Sequence, residues 1–188
     1  MPEAPRFEKP DDALFVDDFS HPDLRGWDAD RGGVWKVEHG MLRARLPDRK
    51  HQRSLLRAGK SGWTDYAVDL DVCMTRGVDK GIAVRVKGDE GVGVDLRGPG
   101  YDDVLLHSGA SQLGRASVRN PNGQWHHLRI EARGSRYRVF VNGRPLIEAE
   151  NSDRARGGIA LAAYTGGVAK CTVYYDNLAV TRIGAGRK

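Results

Sequence analysis

Polar side chains recur at alternate positions of three neighbouring segments in the middle of the chain. Arg85 lies in the first segment, Asp95 and Arg97 in the second, and His107 in the third. Alternate residues of a strand point to one face, so adjacent strands would bring these groups together. Beside an aromatic ring, such hydrogen-bonding groups suit a hydroxyl-rich ligand such as a sugar. Tyr101, in the loop between the second and third segments, supplies that ring.

The sequence leaves a second interpretation of this set open. Charged residues on the solvent face of an antiparallel sheet also form cross-strand ion pairs without any ligand. Asp95 with Arg85 provides one carboxylate, whereas glycosidic cleavage by acid and base ordinarily uses two. We therefore predict binding without catalysis, with Arg85, Asp95, Arg97 and His107 as polar contacts and Tyr101 as the stacking aromatic.

Zinc binding and thiol chemistry gain no support from the sequence. His126 and His127 are adjacent in a predicted strand, so they point to opposite faces and cannot chelate one ion together. The two cysteines, Cys73 and Cys171, do not form a CxxC pair. A disulfide between them would indicate an oxidising compartment, and two buried thiols are the alternative.

Short strands must position these groups. Between Tyr66 and Met74, large apolar residues occupy every second position, and Asn142-Gly143 is a strong hairpin signal because both turn positions need positive φ. The same alternation recurs in residues 82–87, 92–97, 104–107, 128–133 and 137–141. Antiparallel sheets with one wet face show this pattern, and two such sheets bury their apolar faces on each other. The prediction is an all-β, two-sheet antiparallel sandwich.

Length and composition favour one folded unit. The chain has 188 residues, of which 39% are hydrophobic and 24 are glycine, as expected for many short strands joined by turns. We expect an N-terminal arm over residues 1–13, a single sandwich domain over 14–183 and a tail over 184–188. No segment approaches the ~18 consecutive apolar residues of a membrane span.

The charge balance is basic, with a net charge of +5 and an isoelectric point near 9.4. The stretch from Arg43 to Lys60 could bind nucleic acid or an acidic glycan through its cations. It lacks the interleaved aromatic residues that stack on bases. We therefore expect a solvated basic hairpin there and no nucleic-acid partner.

The order of these local patterns resembles the concanavalin A-like lectin and glucanase jelly rolls. Within them the chain is most similar to laminin-G-like modules and to 3-keto-disaccharide hydrolase (DUF1080) domains. The resemblance covers about residues 14–183. The matching stretches are Phe15–Phe19 with Gly26-Trp27, Trp35–Leu42, Trp63–Val68, Gly123–Ile130, Val139–Gly143, Gly157–Leu161 and Tyr175–Val180.

The resemblance implies a jelly roll, a fold that serves lectins, glycosidases and adhesion modules alike. Family-16 glucanases on this fold carry a Glu-x-Asp-x-x-Glu string, which is absent here. Where 3-keto-disaccharide hydrolase domains carry a strand acid, this chain has Gly93. We therefore expect a non-catalytic, lectin-like module for an oligo- or polysaccharide. A small hydrolase or lyase acting on modified disaccharides is the alternative, and an adhesion or assembly module with a protein partner is the third.

The resemblance also implies a structural Ca²⁺ between the first and last strands. Asp18 and Asp176 would supply carboxylates and backbone carbonyls the remaining oxygens, as this cation requires. The alternative is that both residues cap turns or pair with arginines. We expect an extracellular or periplasmic location, although this chain shows no leader and a cytoplasmic one stays open.

Overall fold

Alternating apolar residues drive the chain into two antiparallel sheets that pack face to face. The computed structural model describes residue 6 and residues 8–184. Within them are fifteen strands, one short 3₁₀ turn at Gly166–Val168 and no α-helix, and none of the helical segments is long or apolar enough to cross a membrane. The predicted all-β sandwich is confirmed.

The first sheet, sheet A, runs in the order β13-β12-β11-β6-β15-β4-β3, with β1 also paired to β15. Its strands are β1 (Ala13–Asp17), β3 (Trp35–Glu38), β4 (Met41–Arg45), β6 (Tyr66–Gly77), β11 (Trp125–Arg133), β12 (Arg136–Val141), β13 (Arg144–Glu150) and β15 (Cys171–Arg182). The predicted hairpin at Asn142-Gly143 joins β12 to β13, and both residues have positive φ, at 51° and 76°.

The second sheet, sheet B, runs in the order β10-β9-β8-β7-β14-β5-β2. Its strands are β2 (Trp27–Ala29), β5 (Arg53–Ala58), β7 (Asp79–Lys87), β8 (Glu90–Arg97), β9 (Asp103–Ser108), β10 (Ser111–Ser117) and β14 (Gly158–Tyr164). The predicted arm and tail fall partly outside the described residues, so those bounds stay predictions.

The core lies between the inner faces of the two sheets and is filled by the predicted apolar sets. Tyr175 crosses it from sheet A, and its hydroxyl lies 3.1 Å from the amide nitrogen of Gly81 and 2.6 Å from the carbonyl oxygen of Ala162. A buried tyrosine needs such partners for its hydroxyl. Tyr175 therefore ties the backbone of β7 and β14 to the core from beneath.

The cysteines do not form the disulfide that the sequence left open. Cys73 and Cys171 are both buried and free. Burial raises the pKa of the Cys171 thiol to about 12, so the thiol stays protonated and unreactive at neutral pH.

Candidate functional site

A groove of about 680 Å³ lies on the outer face of sheet B, and its floor is made of small residues. Strand pairing places them side by side across three strands, because Ala160 is opposite Ala83, which is opposite Gly93, while Ala162 is opposite Gly81. With no large side chains there, the backbone of three adjacent strands is open to a ligand. Leu55 on β5 adds an apolar patch to this floor.

Two side chains lean over the floor into spaces that the glycines leave open. A Cβ at position 81 would lie 2.9 Å from Oδ1 of Asp95, and a Cβ at position 93 would lie 2.5 Å from Nε2 of His107. The two side chains meet above the floor, with His107 Nε2 3.2 Å from Asp95 Oδ2. His107 Nδ1 also lies 3.1 Å from the carbonyl oxygen of Gly109. Because both nitrogens face acceptors, chiefly Asp95, the pKa of His107 is raised.

A third titratable group, Asp79, also lines the groove, two residues before Gly81 on the same face of β7. Burial, together with the nearby charge of Asp95, raises the pKa of Asp79 to about 6, against a smaller opposing effect of Arg97. Its Oδ1 is buried without a hydrogen-bond partner among the described residues. Tyr164 is opposite Asp79 on β14, and its hydroxyl lies 3.0 Å from Nδ1 of His51. This end of the groove therefore holds hydrogen-bond donors and acceptors, together with a carboxyl group, Asp79, whose pKa lies close to neutral pH.

The other end of the groove is formed by the turn between β7 and β8, which two arginines hold in place. Arg57 donates to the Gly88 carbonyl oxygen at 3.0 Å and pairs with Asp89. Arg154 donates to Glu90 at 2.6 Å. The charges at this end are mutually neutralised.

Arg97 and Tyr101 lie next to the groove rather than in its lining. Arg97 donates two hydrogen bonds to Asp103, at 2.8 and 2.7 Å, and its guanidinium stacks on the Tyr101 ring at 4.6 Å. Arg115 contacts the same carboxylate. Tyr101 remains 53% exposed, so its outer surface is open to a ligand.

The expectation that Arg85 lies on this exposed face is wrong, because its side chain is only 1% exposed. The pairing of β7 with β8 shifts between Val84 and Lys87, and Arg85 adopts φ of 53°, so this bulge turns Arg85 inward and Val86 toward the groove.

Inside, the Arg85 guanidinium joins several loops. It donates to the carbonyl oxygens of Thr64 at 3.3 Å, Gly134 at 2.6 Å and Arg154 at 2.8 Å, and stacks on the ring of Tyr137 at 5.1 Å. These contacts give Arg85 a structural role at one end of the sandwich.

The structure thus brings Asp95 and His107 together in the groove, with Arg97 and Tyr101 beside it. Sequence reasoning missed Asp79, Arg53 and Tyr164. Extending the alternation of Gly81 and Ala83 backward by one step would have placed Asp79 on the same face. Arg53 and Tyr164 reach the site through the pairing of β5 with β14, which no local pattern reveals.

The predicted calcium ligands do not form a calcium site by themselves. Asp18 is exposed and accepts hydrogen bonds from Ser20, and Asp176 accepts one at 2.8 Å from the Asn177 amide. Among residue 6 and residues 8–184, no three acidic, histidine or cysteine side chains are grouped to hold a metal. Ca²⁺ takes six to eight oxygens, so two carboxylates leave most positions unfilled. Calcium binding stays a prediction.

Solved structures share this fold at low sequence identity. Carbohydrate-binding module CBM66 from Bacillus subtilis is 20% identical with a TM-score of 0.71, over 83% of this chain and 95% of that one. The exoplasmic/lumenal domain of VIP36 in its Ca²⁺/Man-bound form is 11% identical with a TM-score of 0.66, over 87% and 85%. The alginate lyase AlgAT5 of polysaccharide lyase family 7 is 12% identical with a TM-score of 0.61, over 82% and 84%. These likenesses confirm the jelly-roll fold.

No curated protein matches the chain. The family described as the 3-keto-alpha-glucoside-1,2-lyase-like domain matches residues 14–181, which is nearly the whole folded part. This match agrees with the resemblance found in the sequence, and it connects the chain with carbohydrates without distinguishing binding from cleavage. The chain belongs to the 3-keto-alpha-glucoside-1,2-lyase-like domain family.

Proposed function

We propose that this protein binds a carbohydrate in the groove on sheet B. The observation that carries the proposal is the floor of Gly81, Ala83, Gly93, Ala160 and Ala162 beneath the Asp95–His107 pair. Beside this pair, Ala83, Ala160 and Ala162 leave room for a sugar ring to lie flat, and the hydroxyl groups of the ring can bond to the carboxylate and imidazole that cover Gly81 and Gly93. Family membership supports this class of ligand.

The proposed contacts are Asp95, His107, Asp79 and Tyr164 in the groove, with Arg97 and Tyr101 as an outer platform. The exposed surface of Tyr101 can stack on the apolar face of a second sugar residue. Arg85 is not included, since its donors are already used by backbone carbonyls.

Isothermal titration against a panel of oligosaccharides tests the proposal. Asp95→Asn should weaken binding about tenfold or more, because a hydrogen bond to a charged acceptor is lost. Glu148→Gln on sheet A removes one exposed negative charge as well and should leave the affinity unchanged. Equal affinities for Asp95→Asn and the native protein would place the ligand elsewhere.

Cleavage of a 3-keto glycoside is the second candidate, favoured by the raised pKa of Asp79 beside the Asp95–His107 pair. A keto group at C3 acidifies the proton on C2. A base takes that proton, the C1–O bond breaks as a C1–C2 double bond forms, and an acid protonates the leaving oxygen. The Asp95–His107 pair would be the base and protonated Asp79 the acid.

Turnover of a 3-keto disaccharide distinguishes these two functions. Cleavage predicts product release that Asp79→Asn and His107→Gln each abolish while substrate still binds. A protein that binds the same sugar without consuming it supports the binding role alone.

The remaining predictions each have a direct check. A solution oligomer that buries the groove would favour the adhesion or assembly role and leave no room for a sugar. A melting temperature that falls in EDTA and recovers with calcium would support the calcium prediction. The predicted extracellular or periplasmic location is tested by fractionating cells that express the gene and detecting the protein in each fraction.

A further inference from the structure

The charges of the groove are paired at one end and unpaired at the other. Arg57 and Arg154 are bound to Asp89 and Glu90 at the turn between β7 and β8. Arg53 lines the opposite end, beside Tyr164, and is exposed. Within the part of the chain that the structure describes, the guanidinium of Arg53 has no hydrogen-bond or carboxylate partner.

Further basic residues lie close to Arg53 in the sequence and form with it a basic edge, which we define as Arg49, Lys50, His51 and Arg53. All four residues are exposed. The nearest acid in the sequence, Asp48, is already bound to Arg76 at 2.9 Å. Arg31 adds another guanidinium, which donates to the backbone carbonyl oxygen of Arg53 at 3.3 Å. Asp48 therefore does not neutralise the basic edge.

An unpaired guanidinium at the mouth of a groove is suited to an anion that presents two oxygens. Its fork of donors matches the two oxygens of a carboxylate or sulfate group. Asp79 on β7 and Asp95 on β8 repel an anion, so a negative substituent on the ligand must lie across the groove from them, on the β5 side where Arg53 is. Any carboxylate on the ring that occupies the floor must therefore point away from Asp79 and Asp95.

We propose that the groove selects an acidic glycan, an oligosaccharide bearing carboxylate or sulfate groups, with one such group paired to Arg53. This inference rests on the proposed carbohydrate function and names its ligand class. Nucleic acid fits less well, because the large apolar side chains exposed among the described residues are Tyr101 and Val168, neither of which belongs to the basic edge.

Two ligands with the same sugar chain but different charge test this inference by isothermal titration. Tetragalacturonate and its methyl ester share one sugar chain, and the ester carries a methyl group in place of each negative charge. Tetramannuronate and a sulfated tetrasaccharide are tested as further acidic ligands. We expect at least one acidic ligand to bind about tenfold tighter than its neutral counterpart, the scale of one charge-assisted bidentate contact. Arg53→Gln should remove that preference and leave the affinity for the neutral chain within about twofold.

Arg144→Gln is the matched control. Arg144 is exposed at the start of β13 on sheet A, so this substitution removes the same charge far from the groove. Arg53→Lys should retain part of the preference for the acidic ligand, since lysine keeps the positive charge but lacks the paired donors of the guanidinium.

The outcomes separate this inference from the proposed function. If acidic and neutral chains bind equally and Asp95→Asn weakens both, the groove binds sugar and the acidic class is wrong. If none of the chains binds the native protein, both proposals fail. Oligothymidylate that binds as tightly as the best glycan, with the same dependence on Arg53, would identify a nucleic-acid surface and overturn the inference.

Discussion

The imidazole of His107 occupies the space that a side chain at position 93 would fill. A Cβ on Gly93 would lie 2.5 Å from Nε2, the atom that contacts Asp95 at 3.2 Å. The absence of an acid at position 93, which the sequence suggested would remove catalysis, therefore makes room for a histidine from the next strand. The glycine positions the acid–histidine pair.

Gly93→Ala should displace the His107 ring and weaken ligand binding several-fold while changing stability by less than about 1 kcal/mol. The backbone at position 93 does not have positive φ, and the clashing atoms are the end of a side chain that can rotate away. When His107→Ala is already present, adding Gly93→Ala should cause no further loss of binding. Titration of the four proteins in a double-mutant cycle measures this coupling, and additive losses would contradict it.

Asp79→Asn should stabilise the protein above pH 6 and impair its function. The folded pKa of about 6 lies above the ordinary value of 3.8, so stability from this group is fully present below pH 4 and is lost as the pH rises through 6. Removing the charge should gain about 1 to 2 kcal/mol at pH 7.5, after allowance for solvent screening, and nothing at pH 3.5. Urea unfolding at the two pH values measures the difference; an equal effect at both would show that the carboxylate is not perturbed.

Asp176→Asn should stabilise the protein without affecting ligand binding. Burial, with Asp71, Asp18 and Asp17 nearby, raises the pKa of Asp176 to about 7, so its stabilising protonated form is lost between about pH 4 and 7. We expect a gain of about 1 to 3 kcal/mol at pH 8. The same urea titrations apply, and a loss of stability at pH 8 would show that a cation or donor compensates this carboxylate.

Arg85→Met should unfold or strongly destabilise the protein, by about 3 kcal/mol or more, because three backbone carbonyls and a tyrosine hydroxyl lose their donor. Arg97→Met breaks a largely buried ion pair but leaves Asp103 paired with Arg115, so it should cost about 1 to 2 kcal/mol. Denaturant midpoints compare the two variants. A stable Arg85→Met protein with weakened sugar binding would restore Arg85 as a ligand contact.

Alternation predicted the two sheets because it depends only on neighbours within one strand. It failed at Arg85, where a bulge inserts one residue and exchanges the faces of the residues that follow. Asp95 and His107 were predicted because both lie in uninterrupted strands. Arg53 and Tyr164 were not, since their place in the groove depends on β5 pairing with β14.

The most direct measurement of the central claim is the sugar affinity of a protein whose groove has been filled. Ala162→Trp projects an indole from the floor, while Ser111→Trp adds the same side chain at an exposed position of the edge strand β10. For the oligosaccharide that binds the native protein best, Ala162→Trp should abolish the titration heat without lowering the melting temperature by more than a few degrees, and Ser111→Trp should bind normally. Undiminished binding by a folded Ala162→Trp protein would contradict a ligand site in the groove.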